Sequence, residues 1–462
     1  MIRKTVLRVS ILGALAVAPA GCRPGTPETP RAENLIFISL DTTRRDHLST
    51  YGYRRATTPA IDALAEGGAV FDNAIAQMTI TNPSHACMFT GLYPHTHKVG
   101  INTRRVADER TTLTEILRQR GLRTGAFVSG HPLKRELTGI HQGFDTYDSD
   151  FTTRRRFGRE TLDRALAWLR GLSPGDPYFL FLHLYDAHGP YHPPPEYLER
   201  FRSAERGREL AHIPRYQKVR NESGEVYRHL NDYVDRYDAM NRFQDDLVGE
   251  LLGEVDLERT LVVLVADHGE TLGERATQFT LGHGTAVFGE QIRIPMILRG
   301  PGVPIGRFGQ LAETVDLLPT ILDLLGIDLP GGLDLEGESL APILRGEAEA
   351  ERRWAFSSNR ARPQIYADRG YRLRKGAFIH AVHFRNWKLV SYPGAERDYL
   401  ELYDLEADPG EQRDVAAEHP EVRARLLRAL EGWRQDPDDD ESEPALPPEL
   451  ERQFRSLGHA GN

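Results

Sequence analysis

Apolar runs along the chain alternate with segments that repeat apolar residues every three or four positions. NLIFISL (34–40), PYFLFLHLYD (177–186), TLVVLVADHGE (260–270) and IPMIL (294–298) are apolar almost throughout. Such runs suit strands covered on both faces, which need no inward–outward alternation. Between them, TTPAIDALAEGG, TLTEILRQRG, GRETLDRALAWLRGL, residues 227–257 and DLLPTILDLLG read as helices. Pro59 sits at the start of the first of these and glycines at its end, as helix termini favour. AVF (69–71) and RTGAFVSG (123–130) add two strands. Strands regularly separated by helices predict an α/β fold: a mostly parallel sheet with helices on both faces. Ligand sites in such sheets lie at the carboxyl ends of the strands.

The texture changes near residue 349. NRARPQIYADRGYRLRKGAFIHAVHFRNWKLVSYP and YLELYDLEADP read as short strands joined by turns, and EHPEVRARLLRALEGW as a closing helix. This predicts a small antiparallel C-terminal subdomain over 349–435, packed on a main domain over 34–348. Residues 436–462 open with DPDDDESEPALPP and form an acidic tail. At the other end, a basic start is followed by VLRVSILGALAVA and then PAGC, ending at Cys22. This is a targeting segment over 1–22, too short in its apolar part to span a bilayer comfortably. Small residues before a lone cysteine resemble a bacterial lipoprotein cleavage box; an ordinary cleaved signal peptide is the alternative. Residues 23–33 read as a proline-rich tether. The expected location is outside the cytoplasm: periplasmic, or held to the membrane by a lipid on Cys22.

With 462 residues the chain can bury a large core. Its formal charge of −9 argues against a nucleic-acid partner. Its mean hydropathy of −0.47 argues against a multi-span membrane protein. Two cysteines, Cys22 and Cys87, are too few for a disulfide framework.

Polar residues gather where the apolar runs end. Asp41 follows the first strand directly, Asp186, His188 and His192 follow the second, and Asp267 and His268 close the third. His283 stands in a glycine-flanked loop further on. An adjacent Asp–His pair offers two metal-compatible donors in one turn. Asp41 alone also reads as a helix cap. Thr81 precedes Asn82 and Pro83, at or just before a helix start, where free N–H groups favour an anion. Beside a divalent cation its hydroxyl becomes a plausible nucleophile; without one it is a helix cap. His85 lies one turn further on, facing either the same pocket or solvent.

Together the segments LIFISLDTTRRDHLSTYGY, TNPSHACMFTGLYPHTH, HLYDAHGPY, VLVADHGETLGE, GHGTAVFGEQIRIPMILRGPG, TVDLLPTILDLLGI and LYDLEADPGEQRD resemble the sulfatase branch of the alkaline phosphatase superfamily. The resemblance implies an alkaline-phosphatase-like fold, a divalent metal and hydrolysis of sulfuric or phosphoric esters. In sulfatases a Cys or Ser, at the position Thr81 occupies here, becomes a formylglycine nucleophile. His85 replaces the family's arginine, Thr42 its second aspartate, and His283 its late lysine. These departures resemble phosphoryl-transferring relatives that use a threonine. On that resemblance one metal takes Asp41, Thr81, Asp267 and His268. A second metal, or an anion pocket, takes His188 and His283, with Asp186 or His192 nearby. The catalytic set is then Thr81, His85, His188 and His283. The metal is calcium, as in oxygen-rich sulfatase sites, or zinc or manganese, which suit imidazoles better. Three functions follow: an ester hydrolase acting on a small-molecule, glycan or lipid substrate; a phosphoethanolamine-type transferase acting on envelope glycans or lipids; and a non-catalytic binding protein. The lack of membrane helices ahead of the catalytic region favours the hydrolase.

Overall fold

In the computed structural model, residues 31–275, 281–347 and 354–434 are described. The leader, Cys22 and the acidic tail lie outside them, as does the change of texture at residue 349.

The main domain is built on a nine-stranded sheet. Its order is Gly306–Glu313, Ala69–Ile75, Met296–Arg299, Thr260–Val265, Asn34–Leu40, Tyr178–Leu184, Arg123–Val128 and Thr146–Asp148, with Arg293–Ile294 pairing with Ala69–Ile75 off this path. Strands at the centre run parallel; Met296–Arg299 is antiparallel to both its neighbours. The continuous apolar character of the central strands has the predicted cause. Leu35 and Phe37 pack on one face against Ala86, Met88 and Phe89 of helix Thr81–Thr90 and against helices Leu113–Gln119 and Leu317–Leu325. Ile36, Ile38 and Leu40 pack on the other against helices Pro59–Glu66, Gly158–Arg170 and Leu230–Gly253. Each large apolar side chain buried this way contributes about 1.5–3 kcal/mol. The central strands are thereby fixed from both sides, and so are the residues at their ends.

Some elements differ from the sequence pattern. The helix expected over 227–257 is Leu230–Gly253. Strands Thr146–Asp148 and Gly306–Glu313 were not predicted. Both are outermost in the sheet, and the second alternates with solvent over most of its length, so neither has the apolar run of a central strand.

The C-terminal subdomain is a four-stranded antiparallel meander, Trp354–Arg360, Phe378–Phe384, Trp387–Tyr392 and Tyr399–Asp404. Helix Pro420–Trp433 covers one face through Leu426 and Leu430. The other face packs Ile379, Ala381 and Val390 against Ile75, Val287 and Phe288 of the main domain. Ser358 N–H donates to the Gln77 carbonyl at 2.7 Å, joining the two backbones. Among the described residues, no helix is long and apolar enough to cross a membrane.

Candidate active site

Three adjacent parallel strands end together. Ser39 pairs with both His183 and Val265, so the next residues of each strand emerge side by side. Asp41 and the Asp267–His268 pair are brought to one point by this register. Helix Thr81–Thr90 begins beside them, after the extended residue Ile80, and Thr81 is its first residue. Ser84 Oγ donates to the Asp267 carbonyl at 2.7 Å, pinning the helix start to the third strand.

The four residues expected to share a metal converge. Thr81 Oγ1 donates to Asp41 Oδ2 at 3.1 Å. Asp267 Oδ1 accepts the backbone N–H groups of Thr42 and His268 at 3.1 and 2.8 Å. Thr42 adopts a left-handed backbone, φ 54°, rare for a β-branched residue, and so turns its N–H toward that carboxylate. His268 Nδ1 donates to the Gly269 carbonyl at 3.0 Å, which leaves the lone pair on Nε2. Three buried atoms then have no hydrogen-bond partner: Asp41 Oδ1, Asp267 Oδ2 and His268 Nε2. Donor atoms of these residues lie within 4.8 Å of one another. Burial drives the Asp41 carboxyl up to about 6, against the pull of His268. Burial and the neighbouring Asp41 raise Asp267 as well. Two buried acids and an imidazole with an open lone pair are a donor set that fits a divalent cation.

His85 is buried, not exposed to solvent. Its Nδ1 donates to the Thr81 carbonyl and its Nε2 accepts from Ser39 Oγ, both at 2.8 Å. Burial holds it neutral, down to about 4. Both nitrogens are engaged by protein, so its structural work is to tie the backbone of Thr81 to the central strand.

His188 and His283 form the second cluster. Their rings lie 4.8 Å apart, and the His283 ring is 4.5 Å from that of His268. His188 Nδ1 donates to the Gly189 carbonyl at 2.7 Å. The other two residues expected nearby behave differently. Asp186 Oδ1 accepts the Gly158 N–H at 3.0 Å, at the start of helix Gly158–Arg170. Its Oδ2 lies against Gly158, where a Cβ would come within 2.2 Å of it. Asp186 is therefore a helix-terminal acid, favoured there by the helix dipole. His192 is exposed.

Three residues escaped the sequence reading. His183, one residue before the end of its strand, places Nε2 3.3 Å from Asp41 Oδ2. Glu270 is buried and places Oε1 3.2 Å from His283 Nδ1, while Oε2 accepts from Gln217 Nε2 at 3.3 Å. Burial raises Glu270 and lowers His283. Tyr216, with Gln217 in the polar insertion after residue 190, lies 6.2 Å from the His283 ring and 6.5 Å from that of His188. The only advance signals were an acid three residues after Asp267 and a histidine interrupting an apolar strand. A separate cavity of about 1050 Å³, lined by Arg31, Asp323 and Arg345, contains none of these residues.

Comparison with known proteins gives the family. Residues 33–327 match the family described as Sulfatase, and residues 284–436 match the C-terminal region of N-sulphoglucosamine sulphohydrolase. The chain belongs to the sulfatase family and is a sulfatase-like ester hydrolase. An N-acetylglucosamine-6-O-sulfatase of Bacteroides thetaiotaomicron is 23% identical, covering 94% of this chain and 93% of that protein. Human arylsulfatase K is 25% identical, covering 92% and 87%. A solved structure in complex with its substrate D-glucosamine-2-N,6-O-disulfate superposes with a TM-score of 0.72 at 22% identity, covering 89% and 100%. The phosphonate monoester hydrolase of Agrobacterium radiobacter gives 0.68 at 21%, covering 86% and 95%.

Proposed function

We propose that the protein is a metal-dependent hydrolase of sulfuric or phosphoric monoesters in which Thr81 is the nucleophile. The observation that carries this reading is the set of three unpartnered donor atoms on Asp41, Asp267 and His268, with the Thr81 hydroxyl bonded to the first of these residues. Asp41, Asp267 and His268 would hold the metal, with Thr81 beside it. When bound, a divalent cation supplies Lewis acidity that makes a neighbouring hydroxyl more acidic. The Thr81 proton already points at Asp41 Oδ2, the atom placed to receive it. Oγ1 then forms a bond to the sulfur or phosphorus, and the ester oxygen leaves with the electron pair. Water attacking the same centre releases the inorganic anion and restores Thr81. A threonyl ester has no second hydroxyl from which to expel the group, so this second displacement is required. Phosphoryl esters sustain two in-line displacements of this kind.

His283 lies beside His268 and His188 beside His283, and both would bind the anion or the leaving oxygen. The substrate class is a small-molecule or glycan ester, as the names of the similar enzymes suggest. Export, with an anchor at Cys22, is part of the same reading and rests on the leader sequence. A transferase reading shares the first displacement and differs only in replacing water by an acceptor hydroxyl.

The test combines metal analysis with a screen of aryl sulfate, phosphate monoester and phosphodiester substrates. Thr81→Ala is expected to lower turnover by on the order of 10³-fold or more while leaving the fold and the bound metal in place. Wild-type rates in that variant would remove Thr81 from the nucleophile's role. Faster turnover on adding an alcohol acceptor, with transfer product formed, would favour the transferase.

A further inference from the structure

The chain is net acidic at −9, yet the fold brings two arginines toward its second cluster. They come from different parts of the sequence. Arg154 belongs to a segment docked on the site: its carbonyl accepts the His131 N–H at 3.2 Å, and Arg155 bridges to Gly130. Gly130 in turn lies against His183 and Tyr185, so closely that a Cβ would fall 2.9 and 2.6 Å from their rings. Arg155 is occupied in holding the histidine loop, donating to the carbonyls of His188 and Pro190 at 2.8 and 3.1 Å. The Arg154 guanidinium lies 5.8 Å from the centre of the Tyr216 ring, which itself borders His188 and His283.

Arg362 comes from the C-terminal subdomain. It precedes the short helix Pro363–Tyr366, and Tyr366 donates to the Thr285 carbonyl at 2.9 Å, two residues past His283. Among the described residues no carboxylate pairs with Arg362. Both arginines are partly exposed, whereas Thr81 and Asp267 are buried.

We propose that Arg154 and Arg362 form a cationic rim that recognises a second anionic group on the leaving-group side of the substrate, making the preferred ester doubly anionic. This rests on the reading of the site as an ester hydrolase. Guanidinium forks match carboxylates and phosphate-type oxyanions in geometry and charge. Arg154 lies against Tyr216 and Arg362 opens a short helix of the subdomain, both partly exposed, while the transferred group must reach buried Thr81.

The test uses two aryl esters that differ only by a ring carboxylate: 4-nitrophenyl phosphate and its 2-carboxy analogue, or the sulfate pair if sulfate turns over. Wild-type enzyme is expected to prefer the carboxylated ester by at least tenfold in kcat/KM, mainly through KM. Arg154→Gln and Arg362→Gln are each expected to erase most of that ratio, the carboxylated ester losing about tenfold more than the plain one. Arg362→Lys should retain part of it. No preference in the wild type, or equal losses on both esters, would overturn the proposal; equal losses would mean that the arginines serve the transferred group. Calorimetric binding of the carboxylated ester to Thr81→Ala gives the same comparison without turnover. Continued hydrolysis by Thr81→Ala would sink the nucleophile assignment and leave the preference ratio as a separate result.

Discussion

Two clusters of buried charge in this molecule differ in their bonding. At the interface of the subdomain, Lys388 and Glu411 are both buried and paired at 2.7 Å. Lys388 also donates to the Val287 carbonyl at 2.5 Å. The other Glu411 oxygen accepts the Gly289 N–H at 2.9 Å, and nearby Arg275 pairs with Glu290 at 2.8 Å. Each of these carboxylate and ammonium groups has a protein partner. At the strand ends, Asp41 and Asp267 are just as deeply buried, and each keeps an oxygen with no partner. A fold tolerates the first cluster because it is closed on itself. The second is open, and a buried charge left open points to a ligand.

The comparison is broken most directly at the closed cluster. Lys388→Met leaves Glu411 buried without its cation and is expected to cost about 3–5 kcal/mol, read by denaturant unfolding. Pairing it with Glu411→Gln should recover much of that loss. The open cluster should respond in the opposite sense. Without metal, Asp267→Asn is expected to be as stable as wild type or more so, because one uncompensated buried acid is gone. With metal, wild type should gain about 2.7 kcal/mol when the ion is at a hundred times its Kd, and the variant should not. Melting curves with and without chelator decide this; equal chelator shifts in both proteins would contradict the assignment.

A smaller effect sharpens the line between holding the metal and positioning a histidine. Glu270 accepts from two partners with its two oxygens. Glu270→Gln retains only one acceptor, so His283 or Gln217 must lose its bond. Turnover should fall about tenfold. The metal-dependent melting shift should survive, and its loss would make Glu270 a ligand instead.

Acid supplies the mildest test. His97 and His380 lie outside the site, and burial holds each imidazole down to about 3, from 6.5. His97 Nδ1 accepts the Val99 N–H at 3.0 Å, a bond its protonated form cannot make. The unfolded chain therefore binds these protons more readily than the folded one. Their contribution to stability is whole above about pH 6.5 and is lost as the pH falls toward about 3. Melting temperature should drop by a few degrees between pH 7 and 5, less steeply in His97→Gln.

Much of the site was legible because it lies at the ends of the most apolar runs. Asp41, Asp267 and His268 each end a central strand, and parallel packing brings such ends to one edge. Thr81 was legible through Pro83 and the helix it begins. Glu270, His183 and Tyr216 were not, because each looks ordinary in its own segment and acquires meaning only from a neighbour far along the chain. Asp186 shows the converse error. It follows a strand just as Asp41 does, yet the adjacent helix start at Gly158 takes one of its carboxylate oxygens. His85 had a readable position and an unreadable environment, since burial beneath Thr81 depends on how its helix packs.

The alternation of apolar strands and amphipathic helices determined the layered α/β fold, because hydrophobic burial is local in origin and periodic in sequence. The same pattern set which residues emerge at the strand ends. Tertiary structure alone decided which of those polar groups found protein partners and which kept open valences. Hydrogen bonds and charge pairs depend on separations of a few ångströms between segments a hundred or more residues apart, and no local pattern encodes such distances.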